Sequence, residues 1–349
     1  MKFFLIGTLV FILSLLFFLA WASYPWSLRQ REISGEILHF DPEVMVNNLE
    51  NPSVIKVMSW NLGFLYGEGS EGDNYEHQDQ DYFIRKLNSL IKEIEIIDPD
   101  VLFLQEIDFD SARSSHINQA EIMAKKAGYP YVAKAISWES NYIPFPYWPP
   151  KNHFGKMKSG GAILSKYPIT SNSVHLLSKP GQQPWWYNLF YLHRYLQEVE
   201  IDFGDKRLRL INVHLEAFDK VNRSEQIQKL KQLIQSGPVA LVAGDFNMVP
   251  SVAIKKSKFK NNDDYENDPS FDLMTQSGLS EVISTDLYSQ DEARYFTYPS
   301  SAPDRRLDYI YFSSTLKLIK AEVIPSSVSD HLPIMGIIQI SKPKFSEFE

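Results

Sequence analysis

Apolar residues follow two rhythms along this chain, and two segments follow neither. From Phe3 to Ala22 they run almost unbroken, with no charge and no polar face. From Val54 to Ile340, short apolar runs of strand length alternate with stretches that repeat at helical spacing. Trp138–Pro150 and Pro184–Tyr191 fit neither pattern and are crowded with aromatic residues and proline.

The strand-length runs are Val54–Trp60, Val101–Leu104, Gly161–Leu164, Leu196–Ile201, Leu208–His214, 239–243, 308–313 and 334–340. Leu196–Ile201 and Leu208–His214 flank Gly204 and Asp205, which predicts a hairpin. Ile84, Leu87, Ile91 and Ile94 predict a helix over 81–97, and a second helix is predicted over 117–127, closed by Gly128. A third, over 222–235, carries Ile227, Leu230, Leu233 and Ile234. Strands alternating with helices, some paired as hairpins, imply mixed sheets covered by helices. One domain is expected over 54–341, followed by a polar tail, 342–349. Residues 23–53, with Pro25, Pro42 and Pro52, read as a tether. The two aromatic segments are loops that either carry function or fold back as a satellite core.

The 20 residues from Phe3 to Ala22 are enough to cross a bilayer as a helix. They end in Ala20-Trp21-Ala22, a small-x-small pattern of the kind signal peptidase cuts. Residues 1–22 are therefore a transmembrane anchor or a cleaved signal; their length and bulky Trp21 favour the anchor. Lys2 lies on one side and Arg29 and Arg31 on the other, so charge does not set the orientation. The signal-like pattern places the rest of the chain outside the cytoplasm. A net charge of −8 and a pI near 5.6 count against duplex nucleic acid as the main partner. The absence of cysteine excludes disulfides, thiolate catalysis and cysteine-ligated zinc. The basic run Lys255–Lys260 is followed at once by Asp263 and Asp264 and reads as a solvated loop.

Polar residues punctuate the strand ends. Gly244-Asp245-Phe246-Asn247 closes an apolar run, and an acid and an amide two apart on a strand share a face. Ser59-Trp60-Asn61, Gln105-Glu106 and Asn212-Val213-His214 close others. Arg306-Leu307-Asp308 opens one strand and Ser329-Asp330-His331 precedes the last. Singly, each reads as a turn or cap residue. As a set they bring acids, amides and two histidines to strand ends, and sheets gather such ends at one rim.

These motifs, with Gly160-Gly161-Ala162-Ile163-Leu164 and Arg306-Leu307-Asp308-Tyr309-Ile310, occur in the order seen in the endonuclease/exonuclease/phosphatase superfamily. The chain resembles that superfamily, which includes deoxyribonuclease I-like nucleases, neutral sphingomyelinases and inositol polyphosphate phosphatases. The resemblance implies a two-sheet α/β sandwich, the four-layer deoxyribonuclease I-like fold, with the site at one rim. It implies a phosphoesterase that cleaves phosphodiesters, or phosphomonoesters, by direct attack of an activated water. Glu106 would be the main ligand of Mg²⁺, or of Mn²⁺ or another divalent cation, with Asn61 and Asp330 nearby. A hard cation of this kind takes oxygen ligands, keeps several waters and needs only one or two carboxylates.

By the same resemblance His331 is the base, held by Asp308, while Asp245 and Asn247 hold the water and the phosphate oxygens. His214 protonates the leaving oxygen or binds the phosphate, and no acid partner for it can be read. Asn61 and Arg306 are the expected substrate contacts. Three readings of the substrate stay open: a lipid headgroup in the manner of a sphingomyelinase, nucleic acid cut by a secreted or anchored nuclease, or none, in a catalytically silent binding module. The apolar N-terminus, the acidic balance and the aromatic Trp148, Trp185 and Trp186 favour a lipid, with the membrane as partner. No protein partner is predicted.

Overall fold

The computed structural model describes residues 1–25, 31–41, 52–66 and 78–340. The expected polar tail lies outside the described residues, as does much of the expected tether.

Two seven-stranded mixed sheets pack face to face. One runs in space through Glu32–Ser34, Ile169–Leu176, Tyr195–Asp202, Arg207–His214, Leu241–Asp245, Asp308–Phe312 and Ser280–Glu281. The other runs through Leu316–Val323, Ile334–Ile340, Val54–Asn61, Val101–Asp108, Gly155–Ser165, Tyr131–Ile143 and Ile37–His39. Alternation along each strand decides the layers. On Arg207–His214, Leu210 joins the core between the sheets, while Ile211 and Val213 join Ile227, Leu230 and Phe271 under the helices Lys220–Gln235 and Ser270–Thr275. On the other sheet, Val57 and Phe103 face inward. Met58, Leu102 and Leu104 face outward, against Leu87, Ile91 and Met123 of the helices Gln80–Ile97 and Gln119–Lys126. The result is helix, sheet, sheet, helix: the expected four-layer α/β sandwich. Each fully buried Leu, Ile or Phe in these layers contributes about 1.5–3 kcal/mol relative to exposure.

The predicted helices form where the periodicity placed them. Gln80–Ile97 starts at Asp79, whose side chain accepts the Tyr82 N–H at 2.7 Å, and stops at the left-handed Asp98. The predicted hairpin also forms, with Leu196 opposite Val213.

Three expectations need correction. Strand Tyr131–Ile143 is 13 residues long and takes in the first half of the segment read as an insert. The mixed order Trp138-Glu139-Ser140-Asn141-Tyr142 hides a strand that is only partly covered. The middle of the expected tether is strand: Glu32–Ser34 pairs with 173–175 and Ile37–His39 with 131–133, so each extends one sheet. The second aromatic segment contains a short helix, Trp185–Phe190. Part of both segments does fold back, because Ile143, Phe154 and Met157 cluster with Trp138, Phe145 and Phe190. Trp148 and Trp185 stay 81% and 69% exposed.

The N-terminal helix Lys2–Ala22 has a mean hydropathy of 2.8, and its apolar window is unburied. Among the described residues its end touches the domain. Asn141 Nδ2 donates to the Trp21 carbonyl at 3.1 Å, and Phe18 and Trp21 lie 6.1 and 6.3 Å, ring to ring, from Tyr142.

Candidate active site

Two pairs of parallel strands aim their carboxyl ends at one rim: Val54–Asn61 beside Val101–Asp108, and Arg207–His214 beside Leu241–Asp245. A bulge between Leu104 and Ile107 interrupts the second of these strands. It turns Gln105 between the sheets, where its amide donates to Asn212 Oδ1 at 2.7 Å, and presents Glu106 to the rim. Bulges re-aim side chains in this way. Glu106 takes φ 51, and Asn247 takes φ 49. Left-handed backbone costs a glutamate about 1–3 kcal/mol and persists where the surrounding structure imposes it; asparagine tolerates it more readily.

Most of the expected residues meet here. His214 Nε2 lies 3.4 Å from Glu106 Oε1 and 3.8 Å from Asp245 Oδ2. Asn61 Nδ2 donates to Asp245 Oδ2 at 2.9 Å, while Asn61 Oδ1 accepts the Gly63 N–H at 3.0 Å. The amide of Asn61 thus gives its nitrogen to Asp245 and keeps a second oxygen lone pair beyond its bond to Gly63. His331 Nδ1 and Asp308 Oδ2 are 2.8 Å apart, and Thr297 Oγ1 fixes Asp308 by accepting its backbone N–H at 3.2 Å. The indole of Trp60 donates to the His331 carbonyl at 2.9 Å. Asp330 packs over Gly63, where a Cβ would collide with its carboxylate.

Asp245 and Asn247 meet by a route other than strand alternation. The strand ends at Asp245 and the chain turns, so that Asp245 Oδ1 accepts the Asn247 backbone N–H at 2.8 Å and Oδ2 accepts Nδ2 at 3.2 Å. This is an Asx turn, which an aspartate makes two residues back from its donor.

Arg306 is not brought to the rim. It is buried, ion-paired to Glu281 and stacked over Tyr288 and Tyr309, which leaves no charge for a substrate. Another arginine, unread in the sequence, takes that place. Arg194 is 5% exposed, contacts His214 Nε2, and has its Nε 3.8 Å from Glu216 and without a hydrogen-bond partner. Its one signal was position: it precedes Tyr195, which pairs with His214 across the hairpin.

Electrostatics make the rim short of positive charge. Burial, and then the neighbouring Asp308, push Asp245 up to about 6; burial and Glu106 push Asp330 up to about 6. Burial raises Glu106 too, against the pull of Arg194 and His331. Burial alone would lower His331, but Asp308, Asp245 and Asp330 hold its proton up to about 10. Burial and the Arg194 charge drive His214 well down, so it is a neutral acceptor. Among the described residues, no three His, Asp or Glu side chains enclose a metal by themselves. A hydrated hard cation fits nonetheless, because it needs one or two carboxylates and here several crowd with raised affinity for protons.

These shifts carry a sign. A group whose folded pKa is raised stabilises the fold fully below its unfolded pKa and loses that contribution as pH climbs through the folded value. For Asp245 and Asp330 the loss spans about 4 to 6, and for His331 about 6.5 to 10. His214, driven down, acts with the opposite sign below about 6.5, so the chelator-treated protein should melt higher at pH 7 than at pH 9, and a divalent cation should flatten that trend. Calorimetry in EDTA checks this; a melting temperature that rises from pH 7 to pH 9 contradicts it.

The chain belongs to the Endonuclease/Exonuclease/phosphatase family, whose model matches residues 58–331. Members of this family are hydrolases acting on phosphoesters and generally use divalent metal ions. An alignment 225 residues long is 25% identical to an inositol phosphosphingolipids phospholipase C of Schizosaccharomyces pombe and covers 54% of this chain and 53% of that one. The chain thus spans about half the length of this curated relative. Among solved structures, an endonuclease/exonuclease/phosphatase of Beutenbergia cavernae superposes with a TM-score of 0.58 at 17% identity, over 83% of this chain and 72% of that one. The human Nocturnin catalytic domain gives 0.52 at 20% identity, over 88% and 97%. A mannosyl-6-phosphatase of Bacteroides thetaiotaomicron gives 0.52 at 17%, over 81% and 99%.

Proposed function

We propose that this chain hydrolyses phosphodiester bonds in lipid headgroups at a membrane surface, by direct attack of water, using Mg²⁺ or a similar divalent cation. The observation that carries this reading is the meeting of Glu106, His214, Asp245 and His331, from four separate segments of the chain, within one rim. Glu106 would hold the cation, with Asp330 beside it. Once bound, the cation would neutralise charge developing on the phosphoryl oxygens.

The chain's own groups do the rest. Asp245 and Asn247, locked to each other, hold the attacking water. Asp245 takes the proton of that water, and His331, which Asp308 orients and keeps protonated, gives its own to the leaving alcohol. The charge of Arg194, in contact with His214, would stabilise negative charge developing on the phosphoryl oxygens. His214, neutral and accepting from Arg194, aims that guanidinium rather than donating a proton to the leaving oxygen.

The lipid preference rests on the apolar helix, whose end docks on Asn141 and Tyr142, and on the exposed aromatic side chains Tyr147, Trp148, Trp185 and Trp186. Aromatic side chains favour the membrane interface. The phospholipase C similarity agrees with it. The test is a panel of sphingomyelin, phosphatidylinositol, single-stranded and duplex DNA, RNA and a phosphomonoester, each with Mg²⁺ and with EDTA. Cation-dependent cleavage of a lipid phosphodiester is expected; cleavage of nucleic acid alone would replace this reading with that of an anchored nuclease. Glu106→Ala, Asp245→Ala, Asn247→Ala, His214→Ala and His331→Ala should each lose most of the turnover. Two of the five at wild-type rate, still folded, would contradict the role map.

A further inference from the structure

A pocket of about 150 Å³ opens between the end of the N-terminal helix and the second aromatic segment. Ser137, Lys179, Asn188, Tyr191 and His193 line it, and Ser23, the residue after the apolar helix, closes one side. None of these belongs to the hydrolytic rim.

The pocket holds a cation without a counter-charge. Lys179 Nζ donates to the Asn188 carbonyl at 2.7 Å, and among the described residues no carboxylate lies within ion-pair distance of it. An ammonium has three donors, so two remain for a ligand. The carboxylate on the pocket wall, Glu139, faces Lys158 at 3.6 Å. Burial lowers Lys179 to about 8, and burial with the Lys179 charge lowers His193 to about 4, so His193 stays neutral beside it. The side-chain oxygen of Asn188 is buried with no partner.

We propose that this pocket binds the anionic part of a lipid headgroup, with Lys179 as its ion-pair partner. The argument for a lipid source is position: the pocket adjoins the last residues of an apolar helix 21 residues long, which sets it among headgroups when that helix spans a bilayer. The proposal deepens the phosphodiesterase reading and rests on it. Pocket and rim also share a wall. The Tyr191 hydroxyl donates to Glu216 at 3.0 Å, and Glu216 neighbours the Arg194 that contacts His214.

The full chain in phosphatidylcholine vesicles is assayed on phosphatidylinositol, on sphingomyelin and on water-soluble bis(4-nitrophenyl) phosphate. Lys179→Met should raise KM for a lipid substrate about tenfold, the worth of one hydrogen bond to a charged group. It should leave the soluble diester unchanged, and Lys179→Arg should recover the lipid activity. An effect confined to phosphatidylinositol means the pocket reads the substrate's own headgroup. An effect on sphingomyelin that appears only with added phosphatidylglycerol means it reads a neighbouring lipid. Equal effects on lipid and soluble substrates, or none, overturn the proposal. Calorimetric titration of glycerol 3-phosphate into the detergent-solubilised chain gives a readout independent of turnover. Lys179→Met should weaken that binding about tenfold, and an unchanged Kd overturns the proposal even if no substrate is cleaved.

Discussion

Glu106→Gln is expected to lower turnover of a phosphodiester by about 10²–10³-fold and to raise the melting temperature of the cation-free protein. The loss follows from what a bound cation supplies, several kcal/mol of charge neutralisation at about 1.4 kcal/mol per tenfold. The gain follows from the crowding: Glu106 raises the affinity of Asp330 for protons, and its own is raised by burial. Glutamine keeps the shape and the strained φ of 51, so the change in melting isolates the charge. Glu106→Gly would relieve the backbone as well. Steady-state rates at saturating Mg²⁺ and calorimetry in EDTA measure the two sides. A Glu106→Gln protein that keeps its rate, or melts lower than wild type, contradicts the role given to this carboxylate.

Asp308→Asn and His331→Gln should each cost about 10²–10⁴-fold in kcat, the usual worth of positioned proton transfer. The double variant should be no slower than the worse single one, because groups that act as a unit lose their effect together. The pair is built to act so: Nδ1 to Oδ2 is 2.8 Å, both side chains are buried, and Asp308 is the largest influence holding the His331 proton. Asp308→Asn should also move the alkaline midpoint of the pH–rate profile downward, since the carboxylate that raises the imidazole's affinity for protons is gone. Additive losses in the double variant, or an unmoved midpoint, would mean the two residues work separately.

Much of this was legible in the sequence, for physical reasons. Helix 80–97 announced itself because its buried Leu87, Ile91 and Ile94 recur at one face. Glu106 and Asp245 stood out because polar residues that close an apolar run mark a strand end, and Asp308 and His331 because they stand at or just before the start of one. Strand 131–143 was half hidden, because its outer part is covered only by the small cluster around Phe154. Short strands such as 32–34 and 37–39 gain their pairing from sheet edges far away in the chain, which no local pattern announces. The two arginines were confused for a related reason. Arg306 lies beside a site motif, but Glu281, 25 residues earlier, claims it. Arg194 opens a strand with no motif around it, and only the pairing of Tyr195 with His214 brings it to the rim.

The central claim is that this rim drives water against phosphorus with the help of a divalent cation. Hydrolysis of a lipid phosphodiester in ¹⁸O-labelled water tests it most directly. With Mg²⁺, the label should enter the phosphate-bearing product and not the alcohol, and EDTA should abolish the reaction. Label in the alcohol, or turnover indifferent to EDTA, would contradict the account.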